Sequence, residues 1–248
     1  MTTPELLEPY APLNVLKPIA PELWIVDGPT IRFGIMGLSL PFSTRMTIVR
    51  LRGRDLFVHS PTALTPELQA AIARLGTPRW LIGPNRLHYW WLPEWKAAYP
   101  EAEAYLAPRL PKQARGHLAF EGRAMTETSG YPWDGGLKTL PVCGRFMTEV
   151  VFFHPASRTL ILTDLVENFE AQRIHARWMR RLTRFAGVQA PHGGMACDMR
   201  LTFPRTPLRR AVEQMLEWRP ERVVIAHGRW FEADGAARLR RAFRWLLA

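Results

Sequence analysis

Side chains that can bind a metal ion or move a proton stand at the ends of predicted strands in four separate parts of the chain. His59 lies near the end of LFVHSP, His88 follows LIGPNRL, Asp164 lies in LILTDL, and His227 ends VVIAH. Imidazole and carboxylate groups can coordinate a divalent ion or act as acid and base. Each also has an ordinary structural role: a lone histidine at a strand end usually makes a hydrogen bond in a loop, and Asp164 could cap the turn that follows it.

Polar and aromatic residues near these positions add candidates for catalysis and substrate contact. Asn85 could donate a hydrogen bond to a carbonyl or phosphoryl oxygen, or could instead cap the helix that follows it. Trp90 and Trp230 are candidates for the wall of a substrate pocket. Trp90 stands beside Trp91, and two tryptophans at a strand–helix junction more often belong to the core.

The apolar pattern predicts the elements that position these residues. We expect a strand at 23–28, a hairpin within 46–61, a strand at 79–84, a short helix at 92–100 and a strand at 102–108. The helix predicted at 65–76 has the clearest boundaries, because Thr65 can cap it, Pro66 suits its first position and Gly76 can end it.

The second half of the chain alternates in the same way after a looser segment at 109–136. We expect a strand, a loop and two further strands within 139–165, helices at 170–185, 207–217 and 234–247, and a buried strand at 222–228. The proline-rich start, residues 1–22, is expected to be an extended N-terminal arm on a single domain at 23–248. The order of elements indicates a mixed α/β class with two sheets covered by helices.

Composition limits the classes of protein that the chain can represent. With 248 residues and 47% hydrophobic residues it can form one substantial core, and it lacks an apolar run long enough for a membrane span. Two cysteines and no secretory pattern at the N-terminus make the cytoplasm the expected location. The net charge of +11 attracts anionic partners, although nucleic acid is the less favoured of these.

Arginines concentrate in the predicted helix around 172–185. Ile174, Trp178, Leu182 and Phe185 fall on one stripe, and five arginines occupy the other faces. The simplest interpretation is a helix packed by this stripe, with its basic side in solvent. The alternatives are a surface for anionic lipid or nucleic acid, or a lid over a site.

The order of elements resembles the metallo-β-lactamase superfamily from about Leu23 onward. That family has a strand followed by His-x-His-x-Asp-His, where this chain has Gly83, Asn85, Leu87 and His88 in LIGPNRLHYWW. Its later landmarks are a Pro-Gly-His segment, an acid after a strand, and a strand ending in His-Gly. The chain also looks like a little-characterised bacterial branch of the superfamily that carries an Asn-x-x-His motif and has no assigned reaction.

The resemblance implies an αββα four-layer sandwich and a reduced metal site. The three ligand positions of the superfamily's first metal are altered here, whereas His88, Asp164 and His227 match three of the four positions for the second. The implied cofactor is therefore one divalent metal, with zinc favoured, iron or manganese as alternatives, and none if the site is degenerate. β-Lactam cleavage itself is not expected, because so much of the two-metal motif is missing.

Two further positions keep alternatives open. His59 matches the superfamily's Asp-Thr-Gly-like loop and could be a fourth ligand, a general base or a residue that orients a ligand. Arg145 matches the lost Pro-Gly-His histidine, and it could bind an anionic substrate or, as the slightly favoured alternative, pair with Glu149 or Asp164.

These residues predict three functions of different kinds. The favoured one is a metal-dependent hydrolase of an ester, amide or phosphoester, acting on a small molecule that could be anionic. The second is a binding protein for a small anion that kept the fold without the chemistry. The third is nucleic-acid or membrane-surface binding through the arginine-rich helix. The oligomeric state is not predicted.

Overall fold

The computed structural model describes residues 6–35 and 38–248, in eleven strands and eight α-helices. The strands are β1 Lys17–Ala20, β2 Leu23–Ile35, β3 Leu38–Arg50, β4 Asp55–His59, β5 Thr77–Gly83, β6 Glu103–Leu106, β7 Arg123–Ala124, β8 Lys138–Cys143, β9 Thr148–His154, β10 Thr159–Ile161 and β11 Arg222–Val224. The helices are α1 Pro66–Leu75, α2 Leu92–Ala98, α3 Leu110–Gln113, α4 Arg177–Ala186, α5 Cys197–Thr202, α6 Arg205–Glu217, α7 Gly235–Ala242 and α8 Arg244–Leu247. Short 3-10 turns lie at 52–54, 155–157 and 171–173.

The strands form two sheets. The first contains β1 to β7 in sequence order, antiparallel from β1 to β4 and parallel from β4 to β7. The second has the order β11-β10-β9-β8, with β11 parallel to β10 and the other pairs antiparallel. Strand β1 falls within the predicted arm at residues 1–22, whose first five residues lie outside the described part. The division into an arm and a domain at 23–248 stays a prediction.

Three apolar clusters show that the sheets and helices form four layers. One cluster joins the outer face of the first sheet to α1 and α2, through residues such as Ile48, Ile72 and Trp95. A second lies between the sheets, where Phe57 packs edge-on against Phe152 with ring centroids 4.9 Å apart. The third joins the second sheet to α6 and α7. The expected αββα sandwich is thus confirmed.

Local sequence signals fix several of these elements. The Thr65 hydroxyl accepts a hydrogen bond of 3.2 Å from the Leu68 amide, and Pro66 starts α1, as predicted. At the other end of α1, a Cβ on Gly76 would lie 1.9 Å from the Arg54 carbonyl oxygen, so the close approach of two chain segments requires glycine there. The predicted hairpin at 46–61 is also confirmed, as β3 and β4 around a 3-10 turn.

Several boundaries differ from the sequence prediction. The basic helix predicted from residue 170 begins only at Arg177, after a 3-10 turn at 171–173, and the predicted helix at 234–247 divides into α7 and α8 at Phe243. Helices α3 and α5 were not predicted. Both are short and follow glycine- or proline-containing segments, so they show little apolar periodicity.

The topology brings four strand ends to the same edge of the sandwich. His59 ends β4, Asn85 follows β5, Asp164 follows β10 and His227 follows β11. The carboxyl ends of parallel strands point the same way, so the final residues of β4 and β5 lie together, and so do those of β10 and β11.

Among the helices in the described part, none has the length and apolar character to cross a bilayer.

Candidate metal centre

Three of the sequence-predicted residues converge. His88, Asp164 and His227 each offer one ligand atom, and these atoms all lie within 4.8 Å of one another. The His227 Nε2 atom is 2.8 Å from Asp164 Oδ1, and His88 Nε2 is 3.3 Å from Asp164 Oδ2. The side chains of all three are almost fully shielded from solvent. Two imidazole nitrogens and a carboxylate are a donor set that suits zinc, iron or manganese.

Strand β3 orients His227. The imidazole Nδ1–H donates to the Ser43 carbonyl at 2.6 Å, and the Gly228 amide donates to the Ser43 hydroxyl at 3.1 Å. A carbonyl only accepts, so the proton is fixed on Nδ1 and Nε2 faces Asp164. Fixing the far nitrogen of a histidine in this way is how proteins prepare the near nitrogen for a metal.

Arg45 holds the backbone around His227 in place through hydrogen bonds to its carbonyl groups. Its buried guanidinium donates to the carbonyls of Ile225 at 2.7 Å and Gly228 at 2.9 Å, and it forms an ion pair of 2.6 Å with Asp27. Gly228 itself has φ of +91°, and a Cβ there would lie 2.2 Å from a backbone oxygen of Asn168. The turn therefore requires glycine after His227.

Asn85 connects His88 to Asp164. Its side-chain carbonyl accepts the backbone N–H groups of Leu87 at 2.7 Å and His88 at 3.2 Å, and its amide donates to Asp164 Oδ2 at 2.5 Å. The His88 Nδ1 atom lies 2.7 Å from the Ser60 hydroxyl. The Asn-x-x-His spacing thus has a local cause, because an asparagine reaches the amides two and three residues onward. Asn85 is fully buried, and a direct catalytic contact with substrate stays a prediction.

Glu149 holds the backbone around Asp164 in place and was not among the predicted site residues. Its buried carboxylate accepts hydrogen bonds from the amides of Thr163 at 2.8 Å, Asp164 at 2.8 Å and Leu165 at 3.1 Å. Burial and the charge of Asp164 raise the pKa of Glu149 to about 7, against the lowering effect of these hydrogen bonds. The signal in the sequence is an acid directly before the apolar run VVFF in the buried strand TEVVFFH.

The electrostatics of the cluster require positive charge. Burial alone would raise the pKa of Asp164, but the charge of His88 and hydrogen bonds from His227 and His88 outweigh it and hold the pKa well below its usual range. Burial alone would lower the pKa of His227, but its hydrogen bond to Asp164 and the charge of that carboxylate raise it. Because the Nδ1 proton is committed to Ser43, a second proton or a cation must face the carboxylate.

The cluster lies at the polar end of a cavity of about 520 Å³. Most of the wall is apolar and includes Phe42, Trp91, Phe169 and Met179. Glu167, which the sequence reasoning missed, also lines the cavity. Burial raises the pKa of Glu167 to about 8, assisted by the charges of Asp164, Asp198 and Glu149 and opposed by that of His227. In the metal-free protein, a carboxyl group with a raised pKa therefore lines the cavity that contains the His/Asp/His cluster.

A protein-family model described as "Domain of unknown function (DUF4336)" matches residues 22–180. The chain belongs to this family. A search of curated protein sequences gives no match.

Several metallo-beta-lactamases of solved structure have the same fold. The enzyme from Pontibacter korlensis has a TM-score of 0.60 at 14% identity, covering 94% of the DUF4336 chain and 98% of its own. DIM-1 metallo-beta-lactamase has a TM-score of 0.62 at 12% identity, covering 98% of both chains. FIM-1 from Pseudomonas aeruginosa, solved in a mono-zinc form, has a TM-score of 0.57 at 12% identity, covering 93% of both chains. The DUF4336 chain therefore has the metallo-β-lactamase fold, and identities this low carry no further conclusion.

His59 of the DUF4336 chain does not join the cluster. Its ring is 1% exposed and packs edge-on against Phe152 at 5.6 Å, and neither ring nitrogen has a hydrogen-bond partner in the described part of the chain. Burial, and to a smaller extent the charge of His88, lower the pKa of His59 to about 3. Among the described residues, no contact of His59 supports a role as ligand, base or orienting residue.

The predicted substrate contacts lie in different places. Trp90 lines the cavity and stacks on Tyr89 with ring centroids 5.4 Å apart. Trp230 packs against the apolar cluster between the second sheet and helices α6 and α7, and it is not part of the cavity wall. Arg145 is exposed and is also absent from the wall. The expected pairing of Arg145 with Glu149 or Asp164 is wrong, because the backbone amides after β10, Asn85 and the two histidines occupy those carboxylates.

The four remaining histidines match no landmark of the superfamily in the sequence, which favours surface positions for them. His117, His175 and His192 are exposed, but His154 is 5% exposed and its Nδ1 atom lies 2.7 Å from the Ser157 hydroxyl. The expectation for His154 is wrong because β9 continues to this residue and the following 3-10 turn folds over it.

Proposed function

We propose that this DUF4336 protein is a metal-dependent hydrolase with one divalent ion held by His88, Asp164 and His227. The observation that carries the proposal is the convergence of these residues, oriented by Ser60, Asn85 and Ser43, at the polar end of an otherwise apolar cavity. A divalent ion held by these residues would polarise a carbonyl or phosphoryl oxygen and would supply hydroxide at neutral pH. Three protein ligands leave a coordination position open, which is the arrangement of catalytic rather than structural sites.

The residues around the cluster suit ester, amide or phosphoester hydrolysis. Burial raises the pKa of Glu167 to about 8 in the metal-free protein, and Glu167 lines the same cavity, so it is the candidate to donate a proton to the leaving group. Asp164 accepts from Asn85 and is held by the backbone that Glu149 binds, which keeps the carboxylate in place while charge develops nearby. The apolar wall favours a substrate whose body is largely hydrophobic and excludes water from it.

The alternative of a non-catalytic site for a small anion has less support. Within the described residues, neither lysine nor arginine lines the cavity, and the charged groups that do are mainly acidic. A buried anion without a cationic partner or metal would be costly. An anion would bind here through a metal ion, and the site would then be the metal site of the first proposal.

Elemental analysis of protein purified without chelator tests the proposal directly. We expect about one divalent ion per chain, because three side chains form one site. His227→Ala should remove both the ion and the hydrolysis of nitrophenyl esters and phosphoesters. His175→Ala, which changes an exposed histidine outside the cluster, should retain both. A wild-type protein with far less than one ion per chain, or a His227→Ala variant that keeps its ion, contradicts the proposal.

A further inference from the structure

Helix α4 presents an apolar stripe to solvent. The helix packs onto the domain through Met179 and Thr183, not through the stripe that the sequence suggested. Trp178, Leu182 and Phe185, at spacing i, i+4 and i+7, are 46%, 38% and 84% exposed. The expectation that these three residues pack into the core is therefore wrong, and their exposure requires another explanation.

The stripe continues around the mouth of the cavity. Leu182 and Phe185 line the cavity together with Trp90 and Phe146, which are themselves 36% and 39% exposed. We call Trp90, Phe146, Trp178, Leu182 and Phe185 the apolar rim. Among residues 6–34 and 39–248, whose side chains the structure describes, only Val15 and Leu201 are large exposed hydrophobic residues outside the rim. Exposed apolar side chains are thus concentrated at one opening and not scattered over the surface.

A row of positive charge runs beside the rim. Arg177, Arg181 and Arg184 each directly precede a rim residue of α4, so they form a second, parallel stripe on the exposed side of the helix. All three are exposed, none takes part in an ion pair among the described residues, and α4 contains no acidic residue. Their charges are therefore free to meet an anionic partner.

We propose that this face docks on the surface of a bilayer that contains anionic lipids. A short helix with adjacent aromatic and arginine stripes is suited to the headgroup region, where the rings enter the acyl boundary and the guanidinium groups bind lipid phosphates. The +11 net charge of the chain adds long-range attraction to the same surface.

Nucleic acid fits this face less well. Phosphate contacts would use the arginines, but a duplex would leave the aliphatic Leu182 and the cavity mouth uncovered, whereas a bilayer buries them.

With the mouth of the cavity against the lipid, an apolar ligand can enter from the membrane without crossing water. The docking surface depends on neither a metal ion nor turnover, so it stands separately from the proposed hydrolase function.

Vesicle co-sedimentation of the full chain tests the proposal. The probes are phosphatidylcholine vesicles with and without phosphatidylglycerol. We expect binding to the anionic vesicles that weakens with salt, and at least roughly tenfold weaker binding by Leu182→Ser/Phe185→Ser, because the loss of the apolar side chains removes the part that enters the acyl boundary. Val15→Ser, an exposed apolar residue outside the rim, should bind like the wild type.

A second pair of variants separates local from overall charge. Arg177→Gln/Arg181→Gln/Arg184→Gln and the control Arg52→Gln/Arg74→Gln/Arg219→Gln both lower the formal net charge by three, from +11 to +8. The control arginines lie where β4, β5 and β11 begin, at the opposite end of the strands from the cavity. We expect the first variant to bind anionic vesicles roughly a hundredfold more weakly, and the control to lose much less.

Four results in the vesicle and sedimentation experiments would overturn the proposal. They are the absence of binding to anionic vesicles, equal binding to both kinds of vesicle, equal losses for the rim variants and their controls, and a rim-dependent dimer in sedimentation without vesicle binding. Tighter binding to duplex RNA than to vesicles, lost with the arginine variant and kept with Leu182→Ser/Phe185→Ser, would also overturn it. Circular dichroism of each variant confirms that the fold is retained.

Discussion

At the scale of single residues, the burial of His59 has a direct consequence for the pH dependence of stability. The pKa of this histidine is about 3 in the folded protein, against 6.5 for a histidine exposed to water in the unfolded chain. Between these values the unfolded chain binds a proton that the folded protein does not, so stability falls as the pH decreases from 6.5 toward 3. At pH 5 the cost relative to pH 8 is about 2 kcal/mol.

We predict that His59→Leu removes this dependence. The free energy of unfolding of the variant relative to the wild type should increase by about 2 kcal/mol from pH 8 to pH 5, and leucine leaves no unpaired ring nitrogens in the core. Urea unfolding at both pH values measures the difference. His175→Leu, at an exposed position, should change in parallel with the wild type. If His59→Leu follows the wild-type pH dependence, or loses bound metal, His59 belongs to the site and not to the core.

The second prediction at this scale concerns Glu167. Glutamine keeps the shape of the side chain but cannot donate the proton that the raised pKa of Glu167, about 8, keeps available at neutral pH. Glu167→Gln should lower kcat by roughly a hundredfold for substrates with poor leaving groups, with bound metal unchanged. Substrates with acidic leaving groups, such as nitrophenyl esters, should be affected much less. Equal losses for both kinds of substrate would show that Glu167 does not act as the proton donor.

At the scale of elements, the two sheets are joined beneath the site by Arg45. This residue of β3 binds the carbonyls around the turn that carries His227 and pairs with Asp27 of β2, which Lys17 of β1 also contacts at 2.8 Å. One side chain therefore connects three strands of the first sheet to the segment after β11. The free energy of this connection depends on both charges being present, because an unpaired buried charge is far more costly than an absent one.

Arg45→Met should lower the free energy of unfolding by about 3 kcal/mol, since Asp27 then keeps only a partly exposed lysine as its partner. Asp27→Leu/Arg45→Met removes both charges and should recover most of the loss. Urea unfolding of the two variants and the wild type provides the comparison. A double variant that is less stable than Arg45→Met would mean that the hydrogen bonds of Arg45 to the turn matter more than the ion pair.

Elements also show where sequence patterns succeed and where they fail. Helix α1 was predicted to within one residue at each end, because its cap, first proline and terminal glycine act locally. Helix α4 has an equally clear apolar stripe, yet it packs by Met179 and Thr183. Periodicity shows that a helix has two faces, but it does not show which face meets the domain when the other serves a partner.

At the scale of the whole molecule, the resemblance to the metallo-β-lactamase superfamily predicted the αββα sandwich. The convergence of His88, Asp164 and His227 follows from that fold. Parallel strands that end at one edge bring residues 88, 164 and 227 together although they are far apart in sequence. Glu149, Glu167 and Arg45 were missed as site residues because their roles depend on contacts across different strands and loops, which no local spacing encodes. The same reason explains the wrong pairing predicted for Arg145.

The cluster also predicts how metal binding and pH act together on the stability of the whole protein. In the metal-free protein, the hydrogen bond and charge of Asp164 raise the pKa of His227 although burial opposes this. The contribution of His227 to stability is then complete below pH 6.5 and is lost as the pH rises through its folded pKa. A divalent ion competes with that proton, so metal should stabilise the protein more at pH 8 than at pH 6.

Zinc at about 100 times its dissociation constant should stabilise the protein by about 2.7 kcal/mol, which for a chain of this size raises Tm by roughly 5–10 °C. Thermal unfolding with zinc and with chelator, at pH 6 and pH 8, measures the shift. The exposed Cys143 and Cys197 can bind zinc on their own account, so the comparison uses the Cys143→Ser/Cys197→Ser background. In that background His227→Ala should lose the shift at both pH values and His175→Ala should keep it. A shift that is the same at both pH values, or that survives His227→Ala, would mean that zinc stabilises the fold from somewhere other than this cluster.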